Sequence, residues 1–255
     1  MPELPDLQAF SHNLQKRLGG KTVKEITVHS QKLNVSAAEL KKKQEGQQLK
    51  EVRREGKELY FEFKDGSILA LHLMLHGQLY LDKEDHKFSI IELLFDDGLK
   101  LTLTDFQKAA TPTLNPEPKT APDALDDAVD FAYLKKLLQS KKSVVKNILL
   151  DQQIIRGIGN AYADEILWDA RISPFSISNK IPEARVNDLA KSIRSVLKHA
   201  EQQILKANPD IISGEVRDFM SVHNSRKKET PTGHKILVKA GTRKTYYTDE
   251  QELFE

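Results

Sequence analysis

The 255-residue sequence has no cysteine. Disulfides and every thiolate metal site are therefore excluded, and the chain fits a reducing interior, so the cytosol is the expected compartment. It also lacks an excess of charge of one sign: 39 Lys and Arg stand against 37 Asp and Glu, for a net charge of +2. Global basicity does not announce a nucleic acid. No apolar run approaches the roughly 20 residues a membrane helix requires. Glu3 and Asp6 sit where a signal peptide would be basic and then apolar. There are no internal repeats, and the length suits one large domain or two modest ones, each with its own core.

Charge is uneven, however. Between Arg217 and Lys244 there are eight Lys or Arg and only two acids, Asp218 and Glu229. A local basic patch of this kind serves phosphates, although a solvated loop shows it too.

Taken in order, Leu7, Phe10, Leu14 and Leu18 mark one face of a helix closed by Gly19-Gly20. Thr22 to Val28 reads as a strand, and Ser36 with Glu39 three residues on reads as a capping box. The segments 58–63, 68–73, 89–95 and 99–104 have strand composition, and Asp65-Gly66 and Asp97-Gly98 join them as hairpins. Thr111 to Pro122 holds four of the ten prolines and reads as a linker. Helical spacing returns at 131–139 and 182–205, and 235–238 with 243–248 form a hairpin around Ala240-Gly241. The expected fold class is α+β in two domains: an N-terminal antiparallel β-sandwich with flanking helices, then a helical domain ending in a β-hairpin finger.

The most informative stretch is Asp151 to Trp168, DQQIIRGIGNAYADEILW. Val144, Val145, Ile148 and Leu149 precede it at helical spacing, and Tyr162, Ala163, Ile166 and Leu167 follow likewise. Gly157-Ile158-Gly159-Asn160 lies between. Two glycines allow φ > 0 and close approach, and Asn160 is a favoured N-cap, so the helix start would attract an anion. On spacing alone, a plain helical hairpin is equally acceptable.

This stretch resembles the helix-two-turn-helix of the formamidopyrimidine-DNA glycosylase and endonuclease VIII (Fpg/Nei) family. PELPD after Met1 resembles the family's N-terminus, and TRKTYYT near the C-terminus resembles its finger, so the likeness spans nearly the whole chain. It implies a DNA glycosylase and abasic-site lyase of base excision repair. Removal of Met1 would expose the Pro2 nitrogen, which attacks C1′ of the damaged nucleotide; the resulting iminium permits β- and δ-elimination. Glu3 would move protons, although a helix-terminal acid complementing the dipole is the plainer role, one better suited to Asp6. Lys57, His72, Asn160 and Arg243 align with phosphate contacts. Lys57 and His72 are also ordinary residues for a strand start and a half-buried strand.

Several positions depart from the family. Its finger usually holds zinc through four cysteines, so here it is zincless, with apolar contacts and strand pairing expected in the metal's place; no metal and no cofactor is implied. The void left by an everted base is normally filled by Met, Arg and Phe, where Leu75, Lys108 and Ala109 now stand. Leucine can still act as a wedge. At Asp6 the family usually has glutamate, and the shorter acid is expected to weaken a supporting contact. The short stretch between Pro209 and Phe219 points toward the endonuclease VIII side.

The expected organisation is 1–112 catalytic sandwich, 113–128 linker, 129–221 helix-two-turn-helix domain and 222–255 finger. The expected partner is damaged duplex DNA, bound by a monomer in the bacterial cytosol or nucleoid, with no membrane. A rival is a damaged-DNA-binding sensor that keeps the clamp without efficient chemistry. A more distant one is a module for RNA or ribosomes.

Overall fold

The apolar stripe at positions 7, 10, 14 and 18 is fully buried along α1 (Leu4–Leu18) in a computed structural model that describes residues 1–255. The chain forms two compact units, 1–118 with 204–215, and 119–203 with 216–255.

In the first unit, two four-stranded antiparallel sheets are built from β1 (Val23–Val28), β2 (Leu49–Glu55), β3 (Glu58–Phe63), β4 (Ile68–His72), β5 (Gln78–Asp82), β6 (Ser89–Phe95), β7 (Lys100–Thr104) and β8 (Thr111–Leu114). Their orders are β1-β6-β7-β5 and β2-β3-β4-β8. Alternation sets the inward faces: Leu79 and Leu81, Ile91, Leu93 and Phe95, and Leu101 and Leu103 are buried in one sheet; Leu59, Phe61, Phe63, Leu69 and Leu71 are buried in the other. Tyr60 and Ala70, of opposite parity, are buried as well. α1 packs on β2 and β3, with Gln15 Oε1 accepting from Val52 N at 2.6 Å and Gln8 Oε1 from Arg54 Nε at 2.9 Å. The short α2 (Ala37–Gln44) begins at Ser36, whose side chain accepts from Glu39 N.

The proline-rich stretch differs from the linker expected. Its first residues form β8, pairing with β4 from Leu69↔Leu114 to His72↔Thr111. β8 is an edge strand, the place where a proline such as Pro112 removes no needed ladder donor. β2 and β5 were not anticipated: β2 carries Lys50, Arg53 and Arg54, and only Leu49 and Val52 of it are buried.

The second unit holds α3 (Phe131–Gln139), α4 (Val145–Leu150), α5 (Asn160–Asp169), most of α6 (Glu183–Ala207) and the hairpin β9 (Leu237–Lys239) with β10 (Thr245–Tyr247). Asp130 caps α3 by accepting from Tyr133 N at 2.8 Å.

Candidate active site and nucleic-acid interface

In the first unit, Pro2 is buried just ahead of α1 and lines a cavity of about 690 Å³ together with Leu75, His76, Phe106 and Glu215. Glu3 is 4% exposed and is itself the N-cap of α1. Its carboxylate accepts from the Asp6 amide while Asp6 Oδ2 accepts from Glu3 N at 2.9 Å, a reciprocal box. Glu3 thus shares with Asp6 the helix-terminal role that Asp6 was expected to hold.

Lys57 occupies the two-residue turn between β2 and β3, beside Gly56 at φ +57°. His72 ends β4 opposite Glu58, so the strand pairing places it next to that turn. Its Nδ1 accepts from Met74 N at 3.0 Å, which leaves the ring proton on Nε2 in the neutral form. The following loop projects Leu75, 61% exposed. Gly77 closes it with a bond to Leu73 O at 2.8 Å, and a Cβ there would lie 2.1 Å from the same oxygen, so only glycine fits.

Lys108 is exposed, at φ +51°, in a loop folded around the buried Asp105. Asp105 accepts from the amides of Gln107, Ala109 and Ala110 at 2.8–2.9 Å. Lys108 lines an adjoining cavity with His29, Phe88 and Glu92, not the one that Pro2 lines.

In the second unit the turn 151–159 is organised by Gln152. Its amide nitrogen donates to Leu150 O at 3.0 Å and Ile158 O at 2.9 Å, and its oxygen accepts from Gly157 N at 2.9 Å. Only Gly157 uses the left-handed region, at φ +104°; Gly159 is extended at φ −121° and is the N-cap. Asn160 is thus the first residue inside α5 rather than its cap. Its side chain instead donates to Lys244 O at 2.9 Å, while its buried Oδ1 has no partner. That contact brings Asn160 to the hairpin turn that carries the exposed Arg243.

The hairpin has three strand pairs and a small apolar cluster of Val222, Ile236 and Tyr246 against Trp168. Strand pairing and apolar contact are therefore joined by a third means, buried carboxylates. Glu165 accepts from the amides of Ser221, Val222 and His223 at 2.7–2.8 Å. Burial pushes its carboxyl up, against the pull of those three donors. Glu250 accepts from Trp168 Nε1 and Thr232 Oγ1, each at 2.8 Å, and pairs with Arg171. Burial alone would raise the Glu250 carboxyl, but the bonds from Trp168, Thr232 and Arg171 outweigh it and hold it at about 2. Gln152, Asp105, Glu215 and Glu250 escaped the sequence reading, since a lone polar residue has no periodicity to reveal it.

Residues 1–111 match the model of the formamidopyrimidine-DNA glycosylase N-terminal domain, and residues 120–207 match that of the formamidopyrimidine-DNA glycosylase H2TH domain. A formamidopyrimidine-DNA glycosylase of Carboxydothermus hydrogenoformans is 34% identical over 77% of this chain and 76% of its own. The chain belongs to the formamidopyrimidine-DNA glycosylase family. Formamidopyrimidine-DNA glycosylases of Lactobacillus gasseri (31% identity, 94% of this chain and 93% of that one) and Arabidopsis thaliana (29%, 100% and 72%) are also similar. The Lactococcus lactis Fpg, solved with abasic-site DNA, superposes with a TM-score of 0.88 at 25% identity, over 98% of this chain and 100% of that one. Membership of this DNA-repair glycosylase family accounts for both units: the sheet domain headed by Pro2 and the helix-two-turn-helix with its cysteine-free hairpin.

Proposed function

We propose that the chain is a bifunctional DNA glycosylase and abasic-site lyase that removes oxidised bases through an iminium on Pro2 and cleaves the strand by β/δ-elimination. The observation that carries this is the position of Pro2, on the wall of a cavity that the exposed Leu75 also lines. Loss of Met1 turns the Pro2 nitrogen into a secondary amine, an α-amino group with an ordinary pKa of about 8 and a useful neutral fraction at physiological pH.

The remaining roles follow from chemistry and position. Glu3, beside the nucleophile, gives and takes protons on the base and ribose oxygen. Extruding a stacked base costs about a few kcal/mol, which phosphate contacts from Lys57, His72, Asn160 and Arg243 offset while Leu75 enters the gap. Lys108 adds a further phosphate or base contact. The enzyme acts as a monomer on damaged duplex DNA in the bacterial cytosol or nucleoid, without a cofactor.

A second reading, a damage sensor without chemistry, is favoured by one observation: Lys108 lines a cavity other than the one that Pro2 lines. Mass spectrometry of the mature N-terminus and borohydride capture on abasic-site DNA decide between them. The lyase reading expects a chain beginning at Pro2 and a covalent adduct on that residue. A chain that begins at Pro2, binds the DNA and is never captured would leave the sensor.

A further inference from the structure

We propose that Glu215 is the counter-ion of the N-terminal amine and that, once Met1 is removed, it stabilises the positive charge formed on the Pro2 nitrogen. This deepens the lyase reading and rests on it. The Met1 ammonium lies 2.6 Å from Glu215 Oε1, with the carboxylate side chain 33% exposed. Successive backbone nitrogens are at most about 3.7 Å apart. Excision of Met1 therefore moves the amine by less than a glutamate side chain can follow. Pro2 and Glu215 already line one cavity, and Glu215 is the only carboxylate that lines it.

The fold delivers this carboxylate from far along the sequence. Asn13 Nδ2 donates to Ile211 O at 2.8 Å, and Ser213 Oγ accepts from Leu79 N at 3.0 Å. Ile211 is 5% exposed, and Gly214, at φ +85°, turns the chain just before Glu215. The segment is thus anchored to α1 and β5.

The chemistry needs such a partner. The Pro2 lone pair bonds to the C1′ aldehyde carbon, and the N–H proton ends on the former carbonyl oxygen. That hydroxyl leaves with one further proton as water, and a C=N⁺ bond remains; the net reaction takes up one proton and releases one water. The positive charge is permanent until hydrolysis or elimination, and the other ionisable groups lining the cavity are His76, Tyr80, His86 and Lys87, none of them a carboxylate. Glu3 is adjacent in sequence, with its carboxylate engaged at the start of α1. Glu215, already ion-paired with the N-terminal amine, is the carboxylate of that cavity that can sit against the cation.

The test uses the processed full-length chain with labelled proline, comparing parent, Glu215→Gln and Glu215→Asp. Titration of the Pro2 amine by NMR should show its pKa lowered by about one unit in Glu215→Gln and largely restored in Glu215→Asp. With abasic-site DNA and cyanoborohydride, the capture rate at high pH, where every variant's amine is neutral, should fall about tenfold in Glu215→Gln. Affinity for a tetrahydrofuran-containing duplex should change less than about twofold. An amine pKa identical in parent and Glu215→Gln overturns the proposal, as does an unchanged capture rate. A parent whose amine responds to Glu215 but is never captured overturns the lyase reading instead and leaves the ion pair standing.

Discussion

The Lys146 ammonium lies 2.6 Å from Asp164 Oδ1, with both side chains almost sealed from water at 6% and 0% exposure. Around them, Asp164 Oδ2 meets His223 Nδ1 at 2.7 Å and accepts from Tyr246 N at 2.9 Å, and Lys146 donates to Thr245 Oγ1 at 2.8 Å. One buried charge pair thereby joins α4, α5 and the hairpin.

Breaking such a pair strands a charge in a dry site. Asp164→Ala should destabilise the second unit by about 3–5 kcal/mol, whereas the double variant Lys146→Met, Asp164→Leu should recover most of the loss. Urea unfolding measures both. A single variant costing less than about 1 kcal/mol would show that the pair does not hold the hairpin.

Glu250 gives the hairpin an acid limit. Its folded carboxyl is held at about 2, below the ordinary 4.5. A depressed carboxyl contributes stability that is complete above the unfolded value and is lost as pH falls through the folded one, so the window runs from about 4.5 down to about 2. Trp168, the only tryptophan, donates directly to Glu250. Its emission should change through that window, and the change should vanish in Glu250→Gln. A flat emission trace in the parent across the same range would refute the assignment.

Gln152 bonds two carbonyls and one amide inside the two-turn, so Gln152→Ala removes three bonds at once. The expected cost is about 1–3 kcal/mol, concentrated locally. Hydrogen exchange at Gly157 should accelerate at least about tenfold while amides in α6 exchange as before. Uniform exchange across the unit would mean that the turn has no stability of its own to lose.

Glu3 has both a fold role and a proposed chemical one, and two substitutions separate them. Glu3→Ala removes the N-cap and should cost about 1 kcal/mol by thermal melting. Glu3→Gln keeps an acceptor oxygen for the Asp6 amide, so it should melt near the parent and bind abasic-site DNA normally while base release drops. Base release equal to the parent's would remove Glu3 from the proton-transfer role.

How far the sequence reached can be judged from particular elements. Phe131 to Gln139 coincides with α3, because acidic capping and helical spacing agree there. α1 begins before Pro5, because Glu3 supplies the cap. β8 is masked by Pro112, which an edge position tolerates, and β2 by its cations. Asn160 has the composition of a cap, but its side chain bonds to Lys244 across 84 residues, a partner that no local pattern reveals. The same is true of Glu215 and Ser213, whose partners Met1 and Leu79 lie 214 and 134 residues away in sequence. Local chemistry was legible; contacts closed over long loops were not.

The return of residues 204–215 to the first unit has a consequence for how this molecule can be divided. A fragment ending at Pro118 would lack Ile211, Ser213 and Glu215, leaving Asn13 and the Leu79 amide without their mates. Neither half is a detachable cassette, so shuffling between relatives at the boundary after Pro118 should yield inactive hybrids unless the twelve-residue return segment travels with the sheet half.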